Sequence, residues 1–190
     1  MRNRSPSQSE CGFTLFEAVI TMAMVAILMA IAIPSYRYVT NANRIAAEVN
    51  GLLGDLQFAR AEAIKEGQTV TACVSNNGAT CAGAGVSTWQ NGWIVFADAN
   101  NDHAVDGGDT VLRVQSAFSG TDTFVATPAT GYLTFNREGF ASGGTTAAGL
   151  LISLHALTAS SASTRCLNVT FAGLMTVQTY GQTNNTLTCQ

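Results

Sequence analysis

Apolar residues occupy every position from Phe13 to Ile33 except Thr14, Glu17 and Thr21. In a helix rising about 1.5 Å per residue, a run of that length spans roughly the 30 Å of a bilayer's hydrocarbon core. After Pro34 the pattern becomes one-sided. Ile45, Val49, Leu52, Leu56, Ala59 and Ala63 recur in steps of four and three, which predicts a single apolar helix face. Arg44, Glu48, Asp55, Arg60, Glu62 and Lys65 fall on the other faces. Lys65 and Gly67 are stop signals. The predicted helix runs from Thr14 to Glu66 and would be on the order of 80 Å long. Pro34 removes a backbone donor, so a kink or local unwinding is expected near Ala30 to Pro34. Gly51 and Gly54 weaken the second half by up to about 1 kcal/mol each, and are expected to let the backbone approach a sheet closely.

Beyond Gly67 the period shortens. Gln68–Ser75, Gly92–Ala97, Thr110–Gln115, Gly131–Phe135, Leu150–His155, Arg165–Phe171 and Leu174–Tyr180 are short and rich in Val, Ile, Thr and aromatic residues. Ala172-Gly173 reads as a hairpin turn. Short connections imply antiparallel pairing. The Gly/Ala/Ser/Thr connectors Ala141–Ala148 and Thr158–Thr164 read as surface loops.

Composition narrows the class. Charged residues make up 11% of the 190, well under the roughly 25% of average proteins. From Gly67 onward the bases are Arg113, Arg137 and Arg165, against six acids: Asp98, Asp102, Asp106, Asp109, Asp122 and Glu138. A nucleic-acid surface has the opposite balance. Five cysteines are present. Cys73, Cys81, Cys166 and Cys189 form an even set in the β-rich part, which suggests disulfides in an exported domain. Four cysteines allow three pairings; the local one, Cys73 with Cys81 and Cys166 with Cys189, is expected here. No C-x-x-C spacing supports zinc.

The polar start, with Arg2 and Arg4, admits three readings. A secretory signal peptide would be cut near Ala30-Ile31-Ala32, but the acid and the length of the apolar run oppose it. A plain single-pass anchor leaves Glu17 unexplained, although a carboxylate in such a segment is costly. In the third, a leader is cut before the apolar run. Gly12-Phe13-Thr14-Leu15-Phe16-Glu17 closely resembles the processing site of type IV pilins and type II secretion pseudopilins. The resemblance implies cleavage after Gly12 by a prepilin peptidase, N-methylation of Phe13, and Glu17 as an assembly residue meeting a neighbour's Phe13 amine. Cys11 would leave with the leader.

Further matches extend the likeness over the rest of the chain. Leu56-Gln57-Phe58-Ala59-Arg60-Ala61-Glu62-Ala63-Ile64, Val70-Thr71-Ala72-Cys73, Gly92-Trp93-Ile94-Val95-Phe96-Ala97-Asp98-Ala99-Asn100 and the closing two-cysteine region resemble GspH/FimT/FimU-type minor subunits. The implied fold is α+β: a long N-terminal helix, transmembrane in its first half and amphipathic in its second, packed on an antiparallel β-sandwich-like domain. Residues 1–12 would be the leader, 13–33 the membrane half, 34–66 the amphipathic half and 67–190 the β-rich domain. The implied role is that of a minor pilin in the tip or initiation complex of a type IV pilus. The alternatives are a type II secretion pseudopilin of GspH type and a DNA-uptake subunit. Expected partners are other pilin subunits through the helix, the prepilin peptidase and the bacterial inner membrane, with the C-terminal domain in the periplasm until it joins a pilus or pseudopilus. DNA is not expected as a partner. DNA-binding relatives carry a G-R-x-R turn, and the corresponding Gly173-Leu174-Met175-Thr176 lacks both arginines.

Other chemistry is sparse. Counting Asp98 as position 1, oxygen-bearing side chains at Asp98, Asn100, Asp102, Asp106 and Asp109 match the spacing of an EF-hand calcium loop. His103 stands where Gly is usual, and Asp109 where Glu is usual. A metal-free polar turn is the reading adopted, and no cofactor is expected. His103 and His155 are the only histidines; no nucleophile elbow or H-E-x-x-H occurs, so no enzyme is expected. His155, Trp89, Trp93 and Phe96 read as structural residues.

Overall fold

The computed structural model describes residues 12–118, 120–143, 150–155, 163–184 and 187–189, apart from the side chains of 154, 155 and 184. The chain divides into two units, one up to Thr40 and one from Asn41 onward. The helix α1, Leu15–Glu66, contributes to both. It keeps helical geometry through Pro34, so the unwinding expected there does not occur. Proline lacks one backbone donor, and the flanking turns carry the helix past it.

In the second unit the predicted apolar face is the buried face. Ile45, Val49, Leu52, Leu56, Ala59 and Ala63 are its buried residues. Gly67 ends the helix as expected, donating its N–H to the Ala63 carbonyl at 3.0 Å with φ of 68°.

The strands are β1 Val70–Val74, β2 Gly92–Ala97, β3 Thr110–Ser116, β4 Thr123–Thr127, β5 Tyr132–Phe135, β6 Ala141–Ser142, β7 Leu150–His155, β8 Arg165–Val169, β9 Met175–Thr179, β10 Thr183–Asn184 and β11 Leu187–Thr188. One sheet has the order β3-β2-β1-β5-β6, a second β4-β7-β8-β9, and β10-β11 is a small pair. All the pairings are antiparallel. The helix face, Val70, Ala72, Trp93, Val95, Leu133 and Phe135 of the first sheet, and Phe124, Ile152, Leu167 and Val169 of the second form one apolar cluster. Trp89, Trp93 and Phe96 are buried, and the Trp89 Nε1–H donates to the Thr130 carbonyl at 3.1 Å.

Four expectations need correction. β4 was not foreseen; its alternation, with Phe124 and Ala126 buried, is a half-buried strand pattern. Ala141–Ser142, assigned to a surface loop, pairs with β5, and Ala141 is buried. Residues 144–148 of that connector lie outside the described residues, as do 158–162 of the other, whose end at Ser163 and Thr164 is buried, not a surface loop. Gly51 and Gly54 are exposed, and a Cβ built on either meets nothing within 4 Å. They do not bring the backbone close to a sheet.

Polar residues flanking the apolar face bind the helix to the β-strands. Asp55 accepts from the Trp93 Nε1–H at 2.9 Å and from Arg113 at 2.8 Å. The Arg113 guanidinium lies 3.8 Å from the centre of the Phe58 ring. Arg60 donates to the Gly139 carbonyl at 2.9 Å and to that of Ala172 at 3.4 Å. The predicted Ala172-Gly173 turn forms, and a Cβ on Gly173 would stand 2.3 Å from the Gly139 carbonyl oxygen. Glycine is required there by close approach as well as by its φ of 72°.

The two open-space glycines give a direct test. Gly51→Ala and Gly54→Ala should each stabilise the protein by up to about 1 kcal/mol, because alanine removes backbone freedom from the unfolded chain without meeting a neighbour. Thermal unfolding followed by near-UV circular dichroism reads this. Leu56→Ala, on the buried face, should instead cost about 2–5 kcal/mol.

Candidate functional site

Gly12, Phe13 and Thr14 precede the helix, and Glu17 lies in its first turn. The Thr14 hydroxyl oxygen accepts from the Glu17 N–H at 3.3 Å, and the Thr14 carbonyl accepts from Ala18 at 3.1 Å. Thr14 is therefore the N-cap and Glu17 the third helical residue, the spacing of a capping box, of which the Thr14 half is formed. A carboxylate at that position also meets the positive end of the helix dipole. Thr14 was missed as a site residue, although T-x-x-E before an apolar run carried the signal. Glu17 has a local structural reason to be an acid in addition to any role in assembly.

Phe13, Leu15, Phe16, Met22, Met24, Ile27, Leu28, Met29, Ile31 and Ile33 are all exposed. The helix is long and apolar enough to cross a membrane, and none of its most apolar window is buried. Thr21 and Thr40 hydroxyls donate to the carbonyls of Ala18 and Tyr36, at 2.9 and 2.8 Å. This surface therefore offers a partner almost no directional bonds except those of Glu17.

The four remaining cysteines form two bridges. Cys73–Cys81 closes a short loop after β1, with a sequence separation of 8. Cys166–Cys189 ties the last residues to β8, with a separation of 23.

The acidic turn after β2 is organised by Asp98. This residue is fully buried, and its carboxylate accepts from the Thr71 hydroxyl at 2.7 Å, the Asp102 N–H at 3.1 Å and the His103 N–H at 3.2 Å. The Thr69 hydroxyl donates to its carbonyl. His103 takes a left-handed φ of 62°, and its ring stacks on Tyr132 with centroids 4.2 Å apart. Asp102, Asp106 and Asp109 bring carboxylate oxygens within 4.8 Å of one another, and Asn100 donates to Asp102 and Asp106 at 3.0 and 3.1 Å. These three acids are the group that could face a metal. Asp98, the first position of the calcium-loop spacing, is committed to hydrogen bonds within the fold.

The basic residues of the β-rich part are dispersed in function. Arg113 is bonded to Asp55, Arg137 to Glu138 at 2.7 Å, and Arg165 donates to the Thr164 carbonyl at 2.9 Å. The His155 side chain lies outside the described residues.

An uncovered apolar helix start, and a second helical segment packed on antiparallel sheets, define a subunit of the pilin type. The chain belongs to the GspH family, whose profile, described as type II transport protein GspH, matches residues 48–173. The prokaryotic N-terminal methylation motif matches residues 7–33. Among solved structures, the type IV minor pilin FimU of Pseudomonas aeruginosa in space group P21 is similar with a TM-score of 0.56 at 18% identity, covering 72% of this chain and 89% of that one. Its P65 crystal form matches with a TM-score of 0.49 at 18% identity, covering 73% and 90%. The first of these likenesses shows the fold. No curated protein is similar enough to match.

Asp98→Ala should cost on the order of 3 kcal/mol, because it strips a buried, charge-assisted acceptor from three donors. The amides of Asp102 and His103 should then exchange with solvent far faster, as read by hydrogen–deuterium exchange. Unchanged protection there would show that Asp98 does not organise the turn.

Proposed function

We propose that this chain is a minor pilin, made as a precursor, held in the bacterial inner membrane by residues 13–33, and drawn from there into the tip or initiation complex of a type IV pilus. The single observation that carries this reading is the apolar helix, uncovered on every side from Phe13 to Ile33 and opened by Gly12-Phe13-Thr14-Leu15-Phe16-Glu17. Such a surface is stable in lipid, or among like helices that replace lipid. The family is one of structural subunits of the pilin type, and the sequence carries no recognisable catalytic motif. In this reading the β-rich domain lies in the periplasm and carries lateral recognition. The two disulfides suit that compartment. A prepilin peptidase cuts after Gly12, and the new Phe13 amine is methylated.

The match over residues 48–173 to a family described as type II transport favours a second reading, a pseudopilin of a secretion machine. Deleting the gene separates the two. Loss of surface pili with normal secretion supports the first reading; loss of secretion with normal pili supports the second.

Two substitutions test the N-terminal assignment. Gly12→Val should block processing and leave a precursor twelve residues longer than the mature form, resolved by intact-mass measurement. In the unaltered protein the same measurement should give methylated Phe13 as the first residue; a chain beginning near Ile33 would mean a signal peptide instead. Glu17→Ala should still insert in the membrane, since it removes a costly carboxylate, but its incorporation into sheared filaments should fall at least tenfold by immunoblot. Normal incorporation would leave Glu17 with the helix cap as its sole role.

A further inference from the structure

Arg44 and Glu48 are one turn apart on α1, at the start of the second unit. The Arg44 guanidinium makes two bonds to Asp122, Nε to Oδ2 at 2.6 Å and Nη2 to Oδ1 at 2.8 Å. The Asp122 side chain is wholly buried. Both of its oxygens, and that edge of the guanidinium, are thereby taken. Glu48 is half-buried beside them, and its Oε2 is buried without a hydrogen-bond partner among the described residues. Two carboxylates therefore compete for one cation, and Asp122 holds it.

We propose that Arg44, Glu48 and Asp122 form a proton-sensitive latch between α1 and the segment leading into β4, tighter when Glu48 carries a proton. Burial raises the Glu48 carboxyl above its ordinary value, the Asp122 charge raises it further, and Arg44 offsets only part of this. Asp122 and Arg44 are the charged groups acting on it, the first from the segment before β4 and the second from its own helix. A raised carboxyl in the folded state means that the fold binds this proton more tightly than the unfolded chain does. The ionised form carries a fixed cost above the folded value. That cost is relieved as pH falls through the folded value, and is gone below the unfolded one. With the domain outside the cytoplasm, as in the reading above, the medium sets the occupancy of this proton. The latch itself does not depend on that placement.

The test uses the full chain in non-ionic detergent, with thermal unfolding read by near-UV circular dichroism from pH 3.5 to 8. Glu48→Gln keeps the shape and helix propensity of the side chain and removes the charge. It should raise the melting temperature at pH 7–8 by about 2–4 °C, and the gain should vanish below pH 4. In an Asp122→Asn background Glu48 gains the guanidinium, so the same substitution should lower the melting temperature at pH 7. A carbon-13 NMR titration should place the midpoint of the Glu48 carboxyl above its midpoint in the denatured chain, which keeps the proposal open to refutation if Asp122→Asn does not fold. A lower melting temperature for Glu48→Gln at pH 7 in the otherwise unaltered chain, or a midpoint at or below the denatured one, would overturn the latch.

Discussion

The β-rich part depends on one packed surface, the helix face from Ile45 to Ala63. Each of the two large sheets has an inner apolar face, with Val70, Trp93 and Phe135 in the first and Phe124, Ile152 and Leu167 in the second, that must be removed from water. The face recurs every three or four residues, and residues alternate in and out along the strands. The two periods meet in a single cluster that contains residues of the helix and of both large sheets. At about 25 cal/mol per Å² of apolar area, side chains the size of Leu52, Leu56, Trp93 and Phe124 dominate the favourable side of folding. Small residues at Ala59 and Ala63 continue the buried face toward its end.

Apolar packing alone is non-directional, and the polar flanks of the same helix supply the direction. Asp55 holds Trp93 of β2 and Arg113 of β3 together. Arg60 spans the β5–β6 and β8–β9 turns through their carbonyls, and Arg44 reaches the segment before β4. Each bond joins residues distant in sequence, 38 positions apart for Asp55 and Trp93, and 78 for Arg44 and Asp122. A shift of the helix along its axis would break several together, and a buried charge that loses its partner is expensive. These bonds specify the register that the apolar face would leave loose.

This division explains what could be read from the chain. The apolar face, the helix stop at Gly67 and most strands were legible, because each rests on a local pattern. β4 was also legible in its alternation, yet Thr123–Thr127 is short and lies among turn residues. Gly51 and Gly54 were misread because composition does not say which way a glycine faces. The cap at Thr14 was written in the sequence as T-x-x-E before an apolar run, although a lone acid in such a run reads equally well as an isolated charge. Asp98 could be placed in an acidic turn. Its burial beneath Thr71 and His103 was not legible, since it depends on strand pairing between β1 and β2. The same holds for Glu48, whose carboxyl is raised first by burial and then by Asp122, a carboxylate 74 positions later in the chain.

The two units meet water in opposite ways, and that contrast bears on how a subunit of this family is recognised. The surface from Phe13 to Ile33 is apolar, and its threonine hydroxyl at Thr21 is spent on the helix's own backbone. Lipid tails and other apolar helices satisfy such a surface about equally well, so it provides affinity with little discrimination. Discrimination requires groups whose bonds depend on position. The N-terminal segment offers few beyond Glu17 and the terminal amine proposed at Phe13. The second unit offers many, on turns fixed by Asp98, Arg60 and the two disulfides. Rigid turns lose little entropy when they bind. In the role proposed above, the helix start suits the general task of leaving lipid for a bundle of like helices, and the choice of neighbours would fall to the turns that the second half of the helix holds in place.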